Sequence, residues 1–246
     1  MQSIINYSYF GEISALSAAF CWSIAVIIFK SASKDISPFL IVSLKNTIAL
    51  FCFIILFLLF DIPIWYDGFT NIDYLKIIIS GSLGMGIGDI LFIYALSKIG
   101  ANRVAIVNCF EPAVIYFFSI VLLGTVLTLQ QLIGFIIVII SLLIIAYEKD
   151  YDGLDSRIKR SGLIMQISAV LFSSFGIVLI KPLLSQVNDA IHLQLWVTAF
   201  RLFPGFIVAW IIFFLQKNSY SELFTIKKKT KLLWKILLSS GLGTFI

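Results

Sequence analysis

Apolar residues run almost unbroken through most of this chain and stop at short polar clusters. Reading for runs and breaks gives eight segments, approximately 9–30, 37–60, 74–98, 102–123, 127–147, 161–183, 190–215 and 232–246. Most are about 20 residues long, the length that crosses a hydrocarbon layer of roughly 30 Å. They are apolar nearly all round, where a soluble helix would carry a polar stripe at the helical period. The breaks hold Lys34-Asp35 and Pro38, Asp61-Ile62-Pro63, Asp67-Gly68 and Gly100-Ala101-Asn102, residues that end helices and open turns. The pattern predicts an all-α, polytopic transmembrane helix bundle. The polar stretch 148–160 is the natural seam between two halves, and 216–231 is a second polar connection.

Composition agrees. Of 246 residues, 60% are hydrophobic and 13% charged, and mean hydropathy is +1.04. A soluble domain of this size needs more polar surface than that to cover its core. The net charge of +5 does not point to nucleic acid, because the bases sit at the ends of apolar runs and no soluble basic domain remains. Lys and Arg collect after segments 1, 3, 5 and 7, while the 61–73 loop carries only acids, so charge asymmetry places the N-terminus outside a cell membrane. The N-terminus lacks the basic start and cleavage site of a signal peptide. Cys21, Cys52 and Cys109 lie inside apolar segments at unrelated spacings, which suits packing rather than disulfides or metal.

An internal repeat changes the picture. Gly11-Glu12-Ile13, Ser17-Ala18, Ser23 and Lys30 return at a constant offset of 151 as Gly162-Leu163-Ile164, Ser168-Ala169, Ser174 and Lys181. Ile41 to Lys45 resembles Val197 to Arg201, each placing a base inside an apolar segment. Lys76 to Gly84 lines up with Lys235 to Gly243. The units are therefore 1–147 with five helices and 161–246 with about three. Five crossings make the second unit start from the opposite face, an inverted-topology repeat of the kind secondary transporters use around a midplane site. By comparison of the units, two further helices, on the order of 60 residues, are expected after Ile246, and the eighth segment rises only about 22 Å.

With these features the chain resembles the drug/metabolite transporter superfamily, in its EamA-type branch of ten helices in two repeats. The resemblance is carried by Ala18-Ala19-Phe20-Cys21-Trp22-Ser23, by the paired bases Lys45 and Arg201, by Leu83-Gly84, Tyr94-Ala95-Leu96 and Glu111-Pro112, and by Leu123-Gly124, Leu127-Thr128, Gln131 and Gly134. Thr125 stands where members usually have Glu, and Ser141 where a second glycine is common. Members compared with it usually keep both termini in the cytoplasm, against the charge count here. The resemblance implies a secondary active transporter for a small organic metabolite or drug-like solute, working by alternating access, with proton coupling as an option. The alternative is a truncated, non-transporting membrane protein or accessory subunit.

Charges inside lipid-spanning helices cost several kcal/mol unless paired or hydrated, so each marks a candidate. Arg201 forms an i, i+4, i+7 row with Gln194 and Thr198, just before Pro204-Gly205, where a proline kink would suit a solute site. A structural pairing of Arg201 with a carboxylate fits equally well. Lys45 lies about 12 Å past Pro38, within range of snorkelling to the surface. Glu111, with Asn108 on the preceding turn, sits near the centre of the fourth segment, where it could carry a proton or pair with Arg201 or Lys45. Asp89 follows the small-residue row Ser80, Gly84 and Gly88, which invites close helix packing. Trp22 could stack on a solute, and Ser173, its repeat counterpart, shares a face with Gln166, Ala169 and Gly176. The substrate-binding candidates are thus Trp22, Lys45, Asp89, Asn108, Glu111, Ser173, Gln194, Thr198 and Arg201. No catalytic constellation, phosphate loop or cofactor motif is present, and His192 has no acid near it in sequence. The partners expected are a small solute, the bilayer and, under coupling, protons.

Overall fold

Helix caps and glycines decide where the apolar runs become separate helices. The computed structural model describes residues 9–126, 128–146, 155–187, 190–217, 219–228 and 230–245. The first helix, α1, spans Phe10–Ala32. Ser37 then caps α2, Pro38–Leu59, its hydroxyl accepting from the Leu40 amide while Pro38 fills a position that needs no donor. Thr70 and Asp73 form a reciprocal capping box that starts α3, Asn71–Ser80, three residues before the apolar run suggests.

α3 passes without interruption into a π-helical stretch, Gly81–Gly88 (π1), and then into α4, Asp89–Asn108. Gly100, at φ 84°, breaks the path inside α4, in a backbone region that L side chains avoid. The predicted boundary between segments 3 and 4 falls there. The fourth predicted segment is itself divided: α4 ends at Asn108, and α5, Glu111–Leu123, begins two residues later with Pro112 in its first turn. Gly124, left-handed at φ 64°, closes α5. Then follow α6, Leu129–Ala146, and α7, Ser156–Gln186, capped by Asp155. α8, Ile191–Phe214, runs through Pro204 as one helix, so the broken helix lies at 109–110 and not beside Pro204. A short helix, α9 (Ser219–Lys228), occupies most of the polar connection 216–231. α10, Thr230–Ser240, continues into a second π-helical stretch, Gly241–Phe245 (π2). The 147–154 stretch, which holds much of the expected seam between the halves, lies outside the described residues.

Among the described residues, five helical spans are long and apolar enough to cross a membrane: Gly11–Ala32, Pro38–Leu59, Asn71–Asn108, Ser156–Gln186 and Ile191–Phe214. α5 and α6 are shorter apolar helices. Large apolar side chains such as Ile13, Leu16, Phe20, Phe51, Leu58 and Leu215 stand exposed on the outside. That is the surface expected of a polytopic bundle whose solvent is lipid.

Helices early in the chain pack on helices late in it. α1 packs on α10 and π2, α7 packs on α3, π1 and α4, and α2 and α8 pack on each other. Residues matched by the sequence alignment occupy matched contacts. A Cβ added to Gly84 would stand 3.8 Å from Ser173, and one added to Gly243 would stand 3.4 Å from the Trp22 ring. The small row on the third helix makes this approach possible. A Cβ on Gly81 would meet the Arg201 carbonyl at 1.9 Å, and the Ser80 hydroxyl donates to the Gly176 carbonyl at 2.7 Å.

Candidate functional site

A cavity of about 160 Å³ lies where α1, the π1–α4 junction, the α4–α5 break and α7 converge. Five of the nine candidates line it: Trp22, Asp89, Asn108, Glu111 and Ser173. Gln166 and Phe92 complete its polar and aromatic walls, and Gly88, Ala169 and Val170 its small ones.

The break between α4 and α5 creates the polar wall. Asn108 is the last residue of α4 and Glu111 the first of α5, so both side chains leave the backbone at a point where the helical hydrogen-bond ladder is interrupted. Glu111 also occupies the first turn of α5, where the exposed amides and helix dipole favour negative charge. α7 ties down both sides of the break. Gln166 Nε2 donates to Asn108 Oδ1 at 2.6 Å, and two turns later Ser173 Oγ donates to Glu111 Oε1 at 3.1 Å. Gln166 is fully buried, and its Oε1 has no hydrogen-bond partner. On the opposite side Trp22 stacks on Phe92, ring centroids 5.4 Å apart.

Asp89, the first residue of α4, takes the Lys45 ammonium as its partner. Lys45 therefore does not snorkel outward: its side chain is only 6% exposed, held by a carboxylate that reaches it from α4. Glu111 pairs with neither Lys45 nor Arg201 through a salt bridge. The Arg201 guanidinium lies outside the cavity lining, threaded between the backbones of π1 and α7. Cβ atoms on Gly84 and Gly176 would stand 3.0 and 3.2 Å from its Nη2, so those glycines make its room. Its Nε is buried without a hydrogen-bond partner, and its charge interacts electrostatically with Asp89 and Glu111.

Gln194 and Thr198 do not reach this cavity. Gln194 lines a separate opening with Lys181, Leu184 and Ser185, and the Thr198 hydroxyl donates to the Gln194 carbonyl at 2.9 Å. The row from 194 to 201 does share a helical face, but seven residues advance about 10 Å along the axis. Only Arg201 stands at the level of the acids. Gln166 was visible in sequence only as a neighbour of Ser173 on one face of α7, and nothing in the sequence singled out Phe92.

Residues 9–147 match the EamA-like transporter family. The chain belongs to that family. EamA proteins form part of the drug/metabolite transporter superfamily, and their members are membrane transporters rather than enzymes. The matched region spans α1 to α6 and so includes Trp22, Lys45, Asp89, Asn108 and Glu111. Comparison with curated proteins and with solved structures returns no match.

Proposed function

We propose that this EamA chain is a secondary active transporter that binds a small organic solute in the cavity between α1, α4, α5 and α7. The observation that carries the reading is the broken helix at 109–110, which places Asn108 and Glu111 in the cavity wall. Irregular backbone inside a bilayer is tolerated where it is buried in protein or lines a cavity, and transporters place their solute sites at such breaks. The exchanged contacts of α1 with π2 and of α7 with π1 support two structural units, 1–147 and 161–246, of opposite orientation. Rocking of one against the other would expose the cavity alternately to each face. Glu111 is the residue for proton coupling, since a carboxylate in the cavity can exchange a proton with either side. The same reading sets the protein in the plasma membrane with its N-terminus outside.

Flux into proteoliposomes tests this. A panel of radiolabelled small metabolites is offered with and without a pH gradient. The expected result is saturable uptake of at least one solute, lost in Glu111→Gln, with acidification of the lumen if protons are coupled. Absence of uptake across the panel, or uptake indifferent to Glu111→Gln, overturns the reading.

A further inference from the structure

We propose that the cavity holds the protonated amino group of a small solute, with Glu111 as counter-ion and the free Gln166 Oε1 as a second acceptor; this rests on the cavity being the solute site.

The charge on the lining points one way. Two carboxylates, Asp89 and Glu111, contribute to it, and neither Lys45 nor Arg201 does. Asp89 is already met by Lys45, whereas Glu111 has no salt bridge among the described residues and spends one oxygen on the Ser173 hydroxyl. A buried carboxylate with spare acceptor capacity favours a cationic, hydrogen-bond-donating partner. An anionic group would meet the same carboxylate with no base on the wall itself, since the Arg201 charge acts on Glu111 only from outside the lining.

Gln166 supplies independent support. Its side chain is fully buried, its amide nitrogen is committed to Asn108, and its oxygen is left without a partner beside the cavity. A buried acceptor left unmade is expensive, and native structures satisfy nearly all of them. A donor entering the cavity would satisfy it. An ammonium can bridge Gln166 Oε1 and Glu111, since it has three N–H bonds to direct. Trp22 and Phe92 add aromatic surface, whose negative faces attract cations. The volume restricts the rest of the solute. At about 160 Å³ the cavity is smaller than most drug-sized ligand pockets and suits a compact amine.

The amino group could belong to a simple amine or to an amino acid, and the experiment separates them. The purified full chain in lipid nanodiscs is titrated by calorimetry at neutral pH with propylamine, alanine, propionate and propionamide, and each protein's thermal unfolding is recorded to show that it is folded. Propylamine or alanine is expected to bind, propionate and propionamide to bind at least about tenfold more weakly, and Glu111→Gln to weaken the amine about tenfold or more. Gln166→Met is expected to weaken it severalfold, and it gives a second arm should Glu111→Gln not fold. Binding by propylamine alone identifies an amine site, and binding by alanine an amino-acid site. Propionate or propionamide binding as tightly as the amine, and sensitive to either substitution, would overturn the ligand class while leaving the cavity as the solute site. Absence of binding by all four probes, or binding indifferent to both substitutions, would overturn both.

Discussion

Lys45 on α2 and Asp89 at the start of α4 are bound to each other as an ion pair, one residue beyond the π-helical stretch that carries α3 into α4. The pair joins two helices at the edge of the cavity. Removing one partner leaves a charge in a low-dielectric setting, which costs more than the pair itself contributes. Lys45→Ala is therefore expected to destabilise the chain by on the order of 3 kcal/mol, a fall of roughly 5–10 °C in unfolding midpoint in detergent. Lys45→Met with Asp89→Asn removes both charges and should recover most of that loss. Losses in the Lys45 and Asp89 single variants that simply add in the double variant would mean that the two residues do not interact.

The glycines of the third helix make a second, geometric prediction. A Cβ on Gly81 would stand 1.9 Å from the Arg201 carbonyl and 2.8 Å from Pro204, so Gly81→Ala must push π1 away from α8. Overpacking of this kind costs about 1–3 kcal/mol or more when backbone is the obstacle. Gly134, on α6, has nothing within 4 Å of an added Cβ. Gly134→Ala should be neutral or stabilising, by up to about 1 kcal/mol, because alanine orders a helix at less entropic cost. Thermal unfolding of the two variants side by side checks the contrast.

These examples show which parts of the molecule local sequence encodes. Pro38 and Gly100 each act within one turn of backbone, so the start of the second helix and the turn after the third segment are readable from a few residues, while the Thr70–Asp73 box starts α3 ahead of the apolar run and is invisible to hydropathy. Gly84 and Gly243, aligned in the sequence, both stand where an added Cβ would meet a neighbour closely, the Arg201 guanidinium at 3.0 Å for the first and the Ala25 Cβ at 2.8 Å for the second. The break at 109–110 was hidden because Val104 to Leu123 is apolar on both sides of it, and Pro112 can stand in the first turn of a new helix as well as inside a kinked one. Partners for Lys45 and Glu111 were out of reach, since Asp89 and Ser173 come from other helices. The helix α9 was masked by its lysines and hydroxyls, which read as a loop when composition is the guide.

That helix supports a third prediction. Glu222 on α9 accepts from both the Ser37 amide and the Ser37 hydroxyl, at 3.2 and 2.6 Å, while the Ser37 hydroxyl also caps α2. One carboxylate thus fastens α9 to the start of α2. Charge-assisted bonds and N-caps each contribute about 1–2 kcal/mol. Glu222→Ala and Ser37→Ala should each destabilise by about that much, and the double variant by less than their sum, because both remove the bond from the Ser37 hydroxyl to Glu222. Additive losses in a double-mutant cycle would separate α9 from α2 energetically.

Trp22 on α1 and Trp196 on α8 should behave in opposite ways. Trp196 is fully buried, stacks on Phe200 at 3.8 Å between centroids, meets Tyr66, Phe69 and Tyr74 nearby, and donates from Nε1 to the Ile64 carbonyl. Truncating it empties the centre of an aromatic cluster, so Trp196→Ala should cost about 3–5 kcal/mol. It does not line the cavity, so solute affinity measured on protein still folded at low temperature should not change. Trp22 is only partly buried and forms cavity wall. Trp22→Leu keeps an apolar side chain on α1 but removes the ring stacked on Phe92, so it should lower solute affinity severalfold with little change in unfolding midpoint. Calorimetric titration and thermal unfolding of both variants give four numbers whose pattern decides the assignment. Loss of affinity in Trp196→Ala with none in Trp22→Leu would move the solute site to the other side of the bundle.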